Sequence, residues 1–399
     1  MWKIWFPCVL IFWPGLAAAP GAKISRVAMG DPAAIGKGYA AQAVEATASE
    51  TIPGKNEIRG ILRKVNSYQL AHPVLDAAEA QDPLLHPWPR VTWYTGVMAA
   101  WEATKDPSFL EQSLAYGRKL QWQVSKEVVG PNRLFPIELW TEIYFARRDR
   151  AMIEPSIKWL ATPDPLSPAG SRQWYLDAQD TRKPPLPYAD SLYGAPALAM
   201  LAKATGDKKY IGILNAFFDD VTAALFDEES GLYYRDTSFI GQKNPSGKKI
   251  LWSRGNGWVF AGIPRVLDYL PQHDPSRERY LRIFRRMAGE LVKRQGADGL
   301  WRVNLDDPDQ LPNPETSGTG FFCFGLAWGI NHGVLSRREH LPATERAWAG
   351  LTRSLSPEGK VLWGQLVDFE PNAVTRDNTH EYVTGAFMLA GSEIYKLAR

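Results

Sequence analysis

The stretch DEESGLYY at residues 227–234 is the first of three similar turns in this chain. ADGLWR at residues 297–302 and SPEGKVLW at residues 356–363 share its pattern, an acidic residue followed by glycine and then by an aromatic residue. Their central glycines, at positions 231, 299 and 359, are 68 and 60 residues apart. A period of roughly 60 residues accommodates two helices and their loops. The turns therefore predict a helical hairpin that repeats along the chain.

The segments that precede these turns have the apolar spacing of amphipathic helices. After the capping residue Asp207, apolar side chains recur at spacings of three and four from Tyr210 to Leu225. A later segment has Tyr280, Phe284 and other apolar residues on one face, and basic residues on an opposite face that we interpret as solvated. One such hairpin cannot bury its apolar face, whereas several hairpins closed into a ring can. With about twelve to fourteen helical segments and few strand signals, the sequence predicts an all-α fold, the (α/α)6 barrel or six-hairpin toroid.

The N-terminal residues 1–19 have the pattern of a secretory signal peptide. Lys3 gives a short positive region, Ile4 to Leu16 is apolar, and three alanines form a cleavage zone. An apolar run of that length is too short to span a membrane. We expect residues 20–50, rich in Ala, Gly and Ser, to be a linker or N-terminal arm, and residues 51–399 to be the catalytic domain. The sequence thus predicts an exported, periplasmic or extracellular protein.

The composition narrows the class of ligand. The net charge is only +3, from 46 basic and 43 acidic residues, without a basic block that would favour nucleic acid. The 16 tryptophans favour an aromatic-lined cleft of the kind that stacks on sugar rings, and Trp93 and Trp174 are candidates for its lining. Motifs for metal, nucleotide or serine-nucleophile chemistry are missing, so we expect neither metal nor cofactor. These features together favour an acidic oligosaccharide as the substrate.

The segment WSRGNGW at residues 252–258 precedes an apolar helical pattern that contains Pro264, which predicts a kink or a late helix start. In a helical ring, this segment would lie at the N-terminal end of an inner helix, where free N–H groups and the helix dipole favour anions. A guanidinium at that place suits a carboxylate. The alternative is that the arginine pairs with a neighbouring Asp and fastens the loop. The candidate binding residues here are Arg254, Asn256, Trp252 and Trp258.

Carboxylates occur at the starts of two other predicted inner helices. Asp190, in YADSLYG at residues 188–194, is either a helix N-cap or a general acid whose surrounding aromatic residues would raise its pKa. Glu315 and Thr316 lie in a polar turn and are either caps or substrate ligands. The residues alone leave both pairs of alternatives open.

Four segments resemble the unsaturated glycuronyl hydrolases, glycoside hydrolase families 105 and 88, and the former more closely. The segments are YADSLYGAP with TGDKKY, WSRGNGWVFAG, NPETSGTGFF with LAWGINHG, and GAFMLAGSEIYK. The resemblance implies an (α/α)6 barrel and a glycoside hydrolase that hydrates the C4=C5 bond of a Δ4,5-unsaturated uronic acid. That sugar is the non-reducing end of a lyase-generated oligosaccharide, and we expect fragments of rhamnogalacturonan or related pectins. The resemblance implies Asp190 as the proton donor to C4 and Arg254, flanked by Trp252 and Trp258, as the carboxylate-binding residue.

One departure from the family pattern concerns an earlier inner helix, which usually carries a motif rich in His and Asp. The corresponding stretch is GPNRLFPIELWTEIY at residues 130–144, which has no Asp, and Glu138 is then the expected second carboxylate. This departure leaves two alternatives open. The chain could be another carbohydrate enzyme on the same toroid, a polysaccharide lyase or an inverting glycosidase. It could also be a secreted sugar-binding protein without catalysis.

Overall fold

The computed structural model describes residues 51–74, 77–171, 173–177 and 186–399. The predicted signal peptide and N-terminal arm lie outside these ranges. Within them the chain forms thirteen α-helices and two two-stranded antiparallel sheets, so the predicted all-α class is confirmed. The helices are α1 Lys55–Ala71, α2 Ala77–Gln81, α3 Trp88–Thr104, α4 Pro107–Lys119, α5 Leu134–Arg147, α6 Glu154–Ala161, α7 Pro196–Thr205, α8 Lys209–Leu225, α9 Ser253–Tyr269, α10 Arg277–Lys293, α11 Thr316–Asn331, α12 Arg337–Arg353 and α13 Glu381–Leu397. The strands are β1 Leu176–Asp177, β2 Leu186–Pro187, β3 Phe226–Asp227 and β4 Leu232–Tyr233.

Six of the helices form a closed inner ring. In chain order α3, α5, α7, α9, α11 and α13 each contact the next, and α13 contacts α3. The other long helices alternate with them along the chain, and α8, α10 and α12 each pack on the inner helix that precedes them. Burial follows this division: α9 is buried at every position from Ser253 to Leu267, whereas α10 buries one face. This is the predicted six-hairpin toroid.

The ring closes where α3 and α13 approach each other closely. A Cβ atom on Gly96 would lie 2.6 Å from the carbonyl oxygen of Gly385, and a Cβ atom on Gly385 would lie 2.3 Å from that of Thr92. A larger residue at either position would push the two backbones apart. The junction between the first and last inner helices therefore depends on the missing side chains of two glycines.

The three repeated turns follow the outer helices α8, α10 and α12, as the sequence predicts. Gly231, Gly299 and Gly359 have φ values of 68°, 82° and 105°, a left-handed backbone that glycine adopts without strain. Strands β3 and β4 pair across the first turn. Each turn directs the chain back toward the start of the next inner helix. The N-terminal ends of the inner helices consequently share one mouth of the ring.

Helix α9 differs from the sequence expectation in where it begins. It begins at Ser253 and runs to Tyr269 with Pro264 inside it, so the segment that we expected to precede the helix forms its first turns. Its glycines permit close packing: a Cβ atom on Gly257 would lie 3.0 Å from the ring of Phe321, and one on Gly262 would lie 2.6 Å from the Leu192 carbonyl oxygen. Tertiary packing thus stabilises helix where the glycine content favours a loop.

No helix in the described part of the chain is long and apolar enough to cross a membrane.

Candidate active site

A cavity of about 110 Å³ lies at the mouth of the ring, where inner helices begin. Its lining residues are His86, Trp88, Val129, Asn132, Phe135, Tyr188, Asp190, Arg235, Arg254, Trp258, Val367, Asp368 and Phe369. A larger groove of about 1110 Å³ lies at the opposite end of α9 and is lined by residues 267–275 among others. It includes none of the candidate catalytic or binding residues that the sequence analysis named. The smaller cavity is therefore the candidate site, because it brings an acid, two arginines and aromatic rings together.

Asp190 lies in a 3-10 turn, Ala189–Gly194, that leads into α7. Tyr188 precedes that turn and Ala195 precedes α7, so Asp190 occupies neither N-cap position. Its carboxyl group packs against the first turn of α9, since a Cβ atom on Gly255 would lie 3.3 Å from Asp190 Oδ1. The simple capping interpretation of Asp190 is thereby excluded, and its carboxyl group lines the cavity.

Arg254 is 2% exposed and lies over the indole ring of Trp252, 4.2 Å from its centroid. Its Nη1 donates to the carbonyl oxygen of Leu366 (2.6 Å) and to the Tyr382 hydroxyl (2.7 Å), and its Nη2 donates to the Asp368 carbonyl oxygen (2.7 Å). All three acceptors are neutral. Among the described residues no carboxylate pairs with this guanidinium, and its Nε has no hydrogen-bond partner. The site thus contains a desolvated positive charge with a donor that an anion could use.

Arg254 also fixes residues 364–372, which we call the covering loop. The predicted alternative was a bond to an Asp carboxylate, but the loop is held through two backbone carbonyl groups. Trp252 Nε1 donates to Gln365 Oε1 at 2.7 Å, and the Tyr382 hydroxyl donates to the Gln365 carbonyl oxygen. Burial raises the pKa of Tyr382 to about 12, so the phenol keeps the proton that it donates. The covering loop is therefore tied to the first turns of α9 and α13.

A second arginine, Arg235, lines the cavity and was missed by the sequence analysis. Its Nη1 donates to Asp236 Oδ2 at 2.9 Å, and its guanidinium lies 5.0 Å from the Tyr188 ring centroid and 5.7 Å from that of Phe369. The residue follows β4 immediately after the first repeated turn. Because that turn directs the chain back to the mouth of the ring, the position of Arg235 just after it could have identified this residue as a candidate. Unlike Arg254, Arg235 has a carboxylate partner next to it in the sequence.

The stretch that lacks the family's Asp supplies Asn132 to the cavity. Asn132 Nδ2 donates to Glu127 Oε1 at 2.7 Å, and the Tyr188 hydroxyl donates to Asn132 Oδ1 at 3.0 Å. Glu127 is 2% exposed, and its Oε1 lies 3.9 Å from His86 Nε2. The indole N–H of Trp88 donates to the same His86 nitrogen at 2.7 Å. A buried carboxylate thus stands behind the amide and imidazole groups on this side of the cavity.

Glu138, the expected second carboxylate, lies away from the cavity lining. It is fully buried, and Arg265 Nε donates to its Oε1 at 2.6 Å. Arg265 Nη2 also donates to Glu142 Oε1 at 2.9 Å. Burial raises the pKa of Glu138, and the neighbouring guanidinium opposes that shift. The structure therefore places Glu138 in an internal ion pair between α5 and α9.

Three other predicted ligands connect elements around the mouth and do not line the cavity. Asn256 bonds both the N–H and the C=O of Tyr233, at 2.8 and 2.9 Å, and so joins β4 to α9. Glu315 is the N-cap of α11 and accepts from the backbone N–H groups of residues 317 and 318. The Thr316 hydroxyl donates to the carbonyl oxygen of Leu362 at 2.8 Å. In this structure their polar groups form hydrogen bonds that hold together the elements around the cavity.

The remaining aromatic candidates separate into lining and core. Trp258 lines the cavity, and Trp252 supports Arg254 from below. Trp93 is buried and donates its indole N–H to Asn66 at 3.0 Å, and Trp174 packs on Phe217. Neither of the last two is among the lining residues. Across the described ranges, three or more His, Cys, Asp and Glu residues do not come together in a group suited to a metal ion.

Comparison with known proteins gives concordant matches. The sequence profile of Glycosyl Hydrolase Family 88 matches residues 61–398. An unsaturated 3S-rhamnoglycuronyl hydrolase from Formosa agariphila is 30% identical over 364 residues, which cover 86% of this chain and 91% of that protein. One of the same name from Alteromonas sp. is 40% identical over 208 residues, 52% of this chain and only 50% of the relative. A solved structure of a glycosyl hydrolase family 88 protein from Bacteroides vulgatus has a TM-score of 0.74 at 27% identity, covering 86% of this chain and 99% of that one.

Proposed function

The chain belongs to Glycosyl Hydrolase Family 88 and is a glycoside hydrolase related to unsaturated glycuronyl hydrolases, and we propose that it removes a Δ4,5-unsaturated uronic acid from the non-reducing end of lyase-generated oligosaccharides. The observation that carries this proposal is the meeting of Asp190 and Arg254 in one cavity. An acid and an unneutralised guanidinium are the two groups that an unsaturated uronate requires. Hydrolysis of an ordinary glycoside would not by itself require the second.

Asp190 acts in this proposal as the general acid. Its carboxyl group donates a proton to C4 of the unsaturated ring while a water oxygen forms a bond to C5. The proton that this water loses returns to the Asp190 carboxylate, which restores the acid. The product is a hemiketal that opens and releases the rest of the oligosaccharide. The aromatic side chains of Trp258 and Phe135 line the same cavity and limit the access of other water molecules.

Arg254 binds the carboxylate of the uronic acid. Its Nε is buried without a hydrogen-bond partner among the described groups, and a carboxylate in the adjoining cavity would compensate the charge that the neutral acceptors leave. The Trp252 ring beneath the guanidinium keeps it in one plane. Binding therefore orients the C4=C5 bond with respect to Asp190, which is the positional part of catalysis.

The sugar that leaves is proposed to be rhamnose. The names of the two relatives both describe a rhamnoglycuronyl unit. Pectic rhamnogalacturonan fragments, which the sequence analysis favoured, belong to this class, but so do rhamnose-linked uronic acids of other polysaccharides. We also propose that residues 1–19 direct export, which would bring the enzyme to the compartment where such polymers are cut.

The test is the loss of near-ultraviolet absorbance of the conjugated double bond when the purified protein meets unsaturated disaccharides. We expect turnover of a rhamnose-linked substrate, and a decrease of about 10²- to 10⁴-fold in kcat for Asp190→Asn with unchanged thermal unfolding. Asp377→Asn is the matched control, because the Asp377 side chain is 81% exposed and does not line the cavity. Normal turnover by the Asp190 variant would assign the acid elsewhere. Absence of turnover with every unsaturated disaccharide would contradict the proposed function.

A further inference from the structure

The covering loop presents an aliphatic side chain to the cavity. Leu366 and Val367 are 52% and 41% exposed, and only Val367 is among the lining residues. A single exposed aliphatic residue is common on protein surfaces. Val367 is different because it forms part of the wall of a site otherwise rich in charged and polar groups. A bound ligand that contacts Val367 would remove its apolar surface from water.

The backbone on both sides of Val367 is held by the arginine that binds the substrate. Arg254 donates to the carbonyl oxygens of Leu366 and of Asp368, the residues immediately before and after Val367. The Asp368 carboxylate accepts from the Phe369 N–H and from Asn372 Nδ2, each at 2.6 Å. These bonds fix the position of Val367 before any ligand arrives. A pre-organised contact of this kind discriminates between ligands without the cost of ordering a loop.

Two further apolar residues line the same cavity. Phe369 follows on the covering loop, and Val129, 2% exposed, comes from the segment before α5. Hydroxyl groups on a sugar gain nothing from such neighbours and lose hydrogen bonds to water. A methyl substituent gains apolar contact there. The lining therefore combines a charged part suited to the uronate with an apolar part suited to a deoxygenated position on the adjoining sugar.

We infer that Val367 is a specificity-determining residue that contacts the C6 methyl group of a 6-deoxyhexose linked to the unsaturated uronic acid. The inference rests on the proposed function, since only that substrate brings a second sugar to the covering loop. Rhamnose is a 6-deoxyhexose, and mannose of the same configuration differs from it only by a hydroxyl group at C6. Arg254 thus binds the uronate in this proposal and also positions Val367, through its hydrogen bonds to the covering loop.

The experiment compares two disaccharides, the unsaturated uronic acid on L-rhamnose and the same acid on L-mannose. We expect the wild-type protein to prefer the rhamnoside by about 10-fold in kcat/KM. Val367→Thr keeps the shape of the side chain but replaces a methyl group by a hydroxyl, and it should lower this preference at least threefold, by roughly the worth of one methyl contact. Val367→Ala should lower it as well. Val128→Thr is the matched control, because Val128 is a 61% exposed valine that does not line the cavity.

The outcomes separate this inference from the proposed function. Hydration of both disaccharides at equal kcat/KM by the wild-type protein would overturn the inference and support the proposed function. An unchanged preference in both Val367 variants, with normal thermal unfolding, would also overturn the inference. If the wild-type protein hydrates neither disaccharide, the inference is overturned, and the proposed function fails as well only when no other unsaturated disaccharide is hydrated. A preference that falls in the Val367 variants and persists in Val128→Thr would establish the contact.

Discussion

Helix α9 contains two buried arginines about three turns apart, and they have opposite surroundings. Arg254 and Arg265 are 2% and 4% exposed. Arg265 pairs with two carboxyl groups, those of Glu138 and Glu142. In the described structure Arg254 has only neutral acceptors, two backbone carbonyl groups and the hydroxyl of Tyr382.

Burial and residue type therefore do not distinguish a structural arginine from one that is suited to bind a ligand. The distinguishing property is whether the protein itself neutralises the charge. Burial raises the pKa of Glu142 to about 8 and raises that of Glu138 as well, while the Arg265 guanidinium opposes both shifts, so the groups that can provide a counter-charge to Arg265 belong to the protein itself. Arg254 has no such partner among the described residues, which suits it to the anionic substrate that we propose.

The largest effect is expected when the internal arginine is removed. Arg265→Met should lower the free energy of unfolding by about 3–5 kcal/mol, because it leaves two buried carboxyl groups without their partner. Urea unfolding would measure this change. Arg150→Met is the control, since both side chains of the Arg150–Glu154 pair are more than half exposed and such pairs contribute little. An equally small change in both variants would show that the protein does not depend on Arg265 to pair its two buried carboxyl groups.

The second effect concerns substrate binding. Arg254→Ala should raise KM for a carboxylated substrate by roughly 100-fold, and for its methyl ester far less, because only the carboxylate uses the unneutralised charge. Arg254→Ala also releases the covering loop, and that release would affect both substrates. The methyl ester is therefore the internal control for it. The free energy of unfolding should change less in Arg254→Ala than in Arg265→Met. If KM rises by the same factor for acid and ester, Arg254 serves the loop alone.

The third effect is a pH dependence. Glu142 keeps its proton in the folded state up to a pH of about 8, whereas in the unfolded chain it releases the proton near its ordinary pKa of 4.5. The folded state therefore binds more protons in this window, and stability should fall as pH rises through it. Glu142→Gln should flatten that decline, because an amide does not take up or release a proton in this range. Urea midpoints at about pH 5.5 and 8.5 measure it.

The exposed Glu154→Gln serves as the control for this pH series. Its side chain is 59% exposed, so the substitution should leave the decline of stability with pH as it is in the wild-type protein. Parallel declines in the wild-type protein and in Glu142→Gln would show that Glu142 is not protonated beside Arg265. The charge balance of the internal arginine would then need another explanation.

The fold was predictable because the sequence repeats its turn signal and its amphipathic helices. The start of α9 was not, since glycine content alone favours a turn at residues 255–257. Those glycines are needed for contacts with other hairpins, such as the approach of Gly257 to Phe321. Local sequence cannot report which distant residue requires the space. Of the two interpretations of Pro264, the late helix start is wrong, since α9 already begins at Ser253, and the kink stays a prediction.

The lining of the candidate cavity was predictable where a polar residue lies in or just before the first turn of an inner helix, as for Arg254 and Asp190. That signal does not separate a cavity residue from a cap, and Glu315 forms a cap in the structure. It also misses residues delivered by loops of other hairpins, such as Arg235 and Val367. Their approach to the cavity depends on how the ring closes. Spacing along one segment contains no information about that closure.

The closure between α3 and α13 has a consequence for how the enzyme is made. The first inner helix, α3 from Trp88, cannot close the ring until the last, α13 from Glu381, has been made. Tyr382, which bonds Arg254, also arrives with that final helix. During synthesis on the ribosome, the earlier hairpins therefore emerge as an open arc with an exposed apolar edge. Pairing of such distant segments is slow, so newly made chains should depend on protection from aggregation until α13 docks.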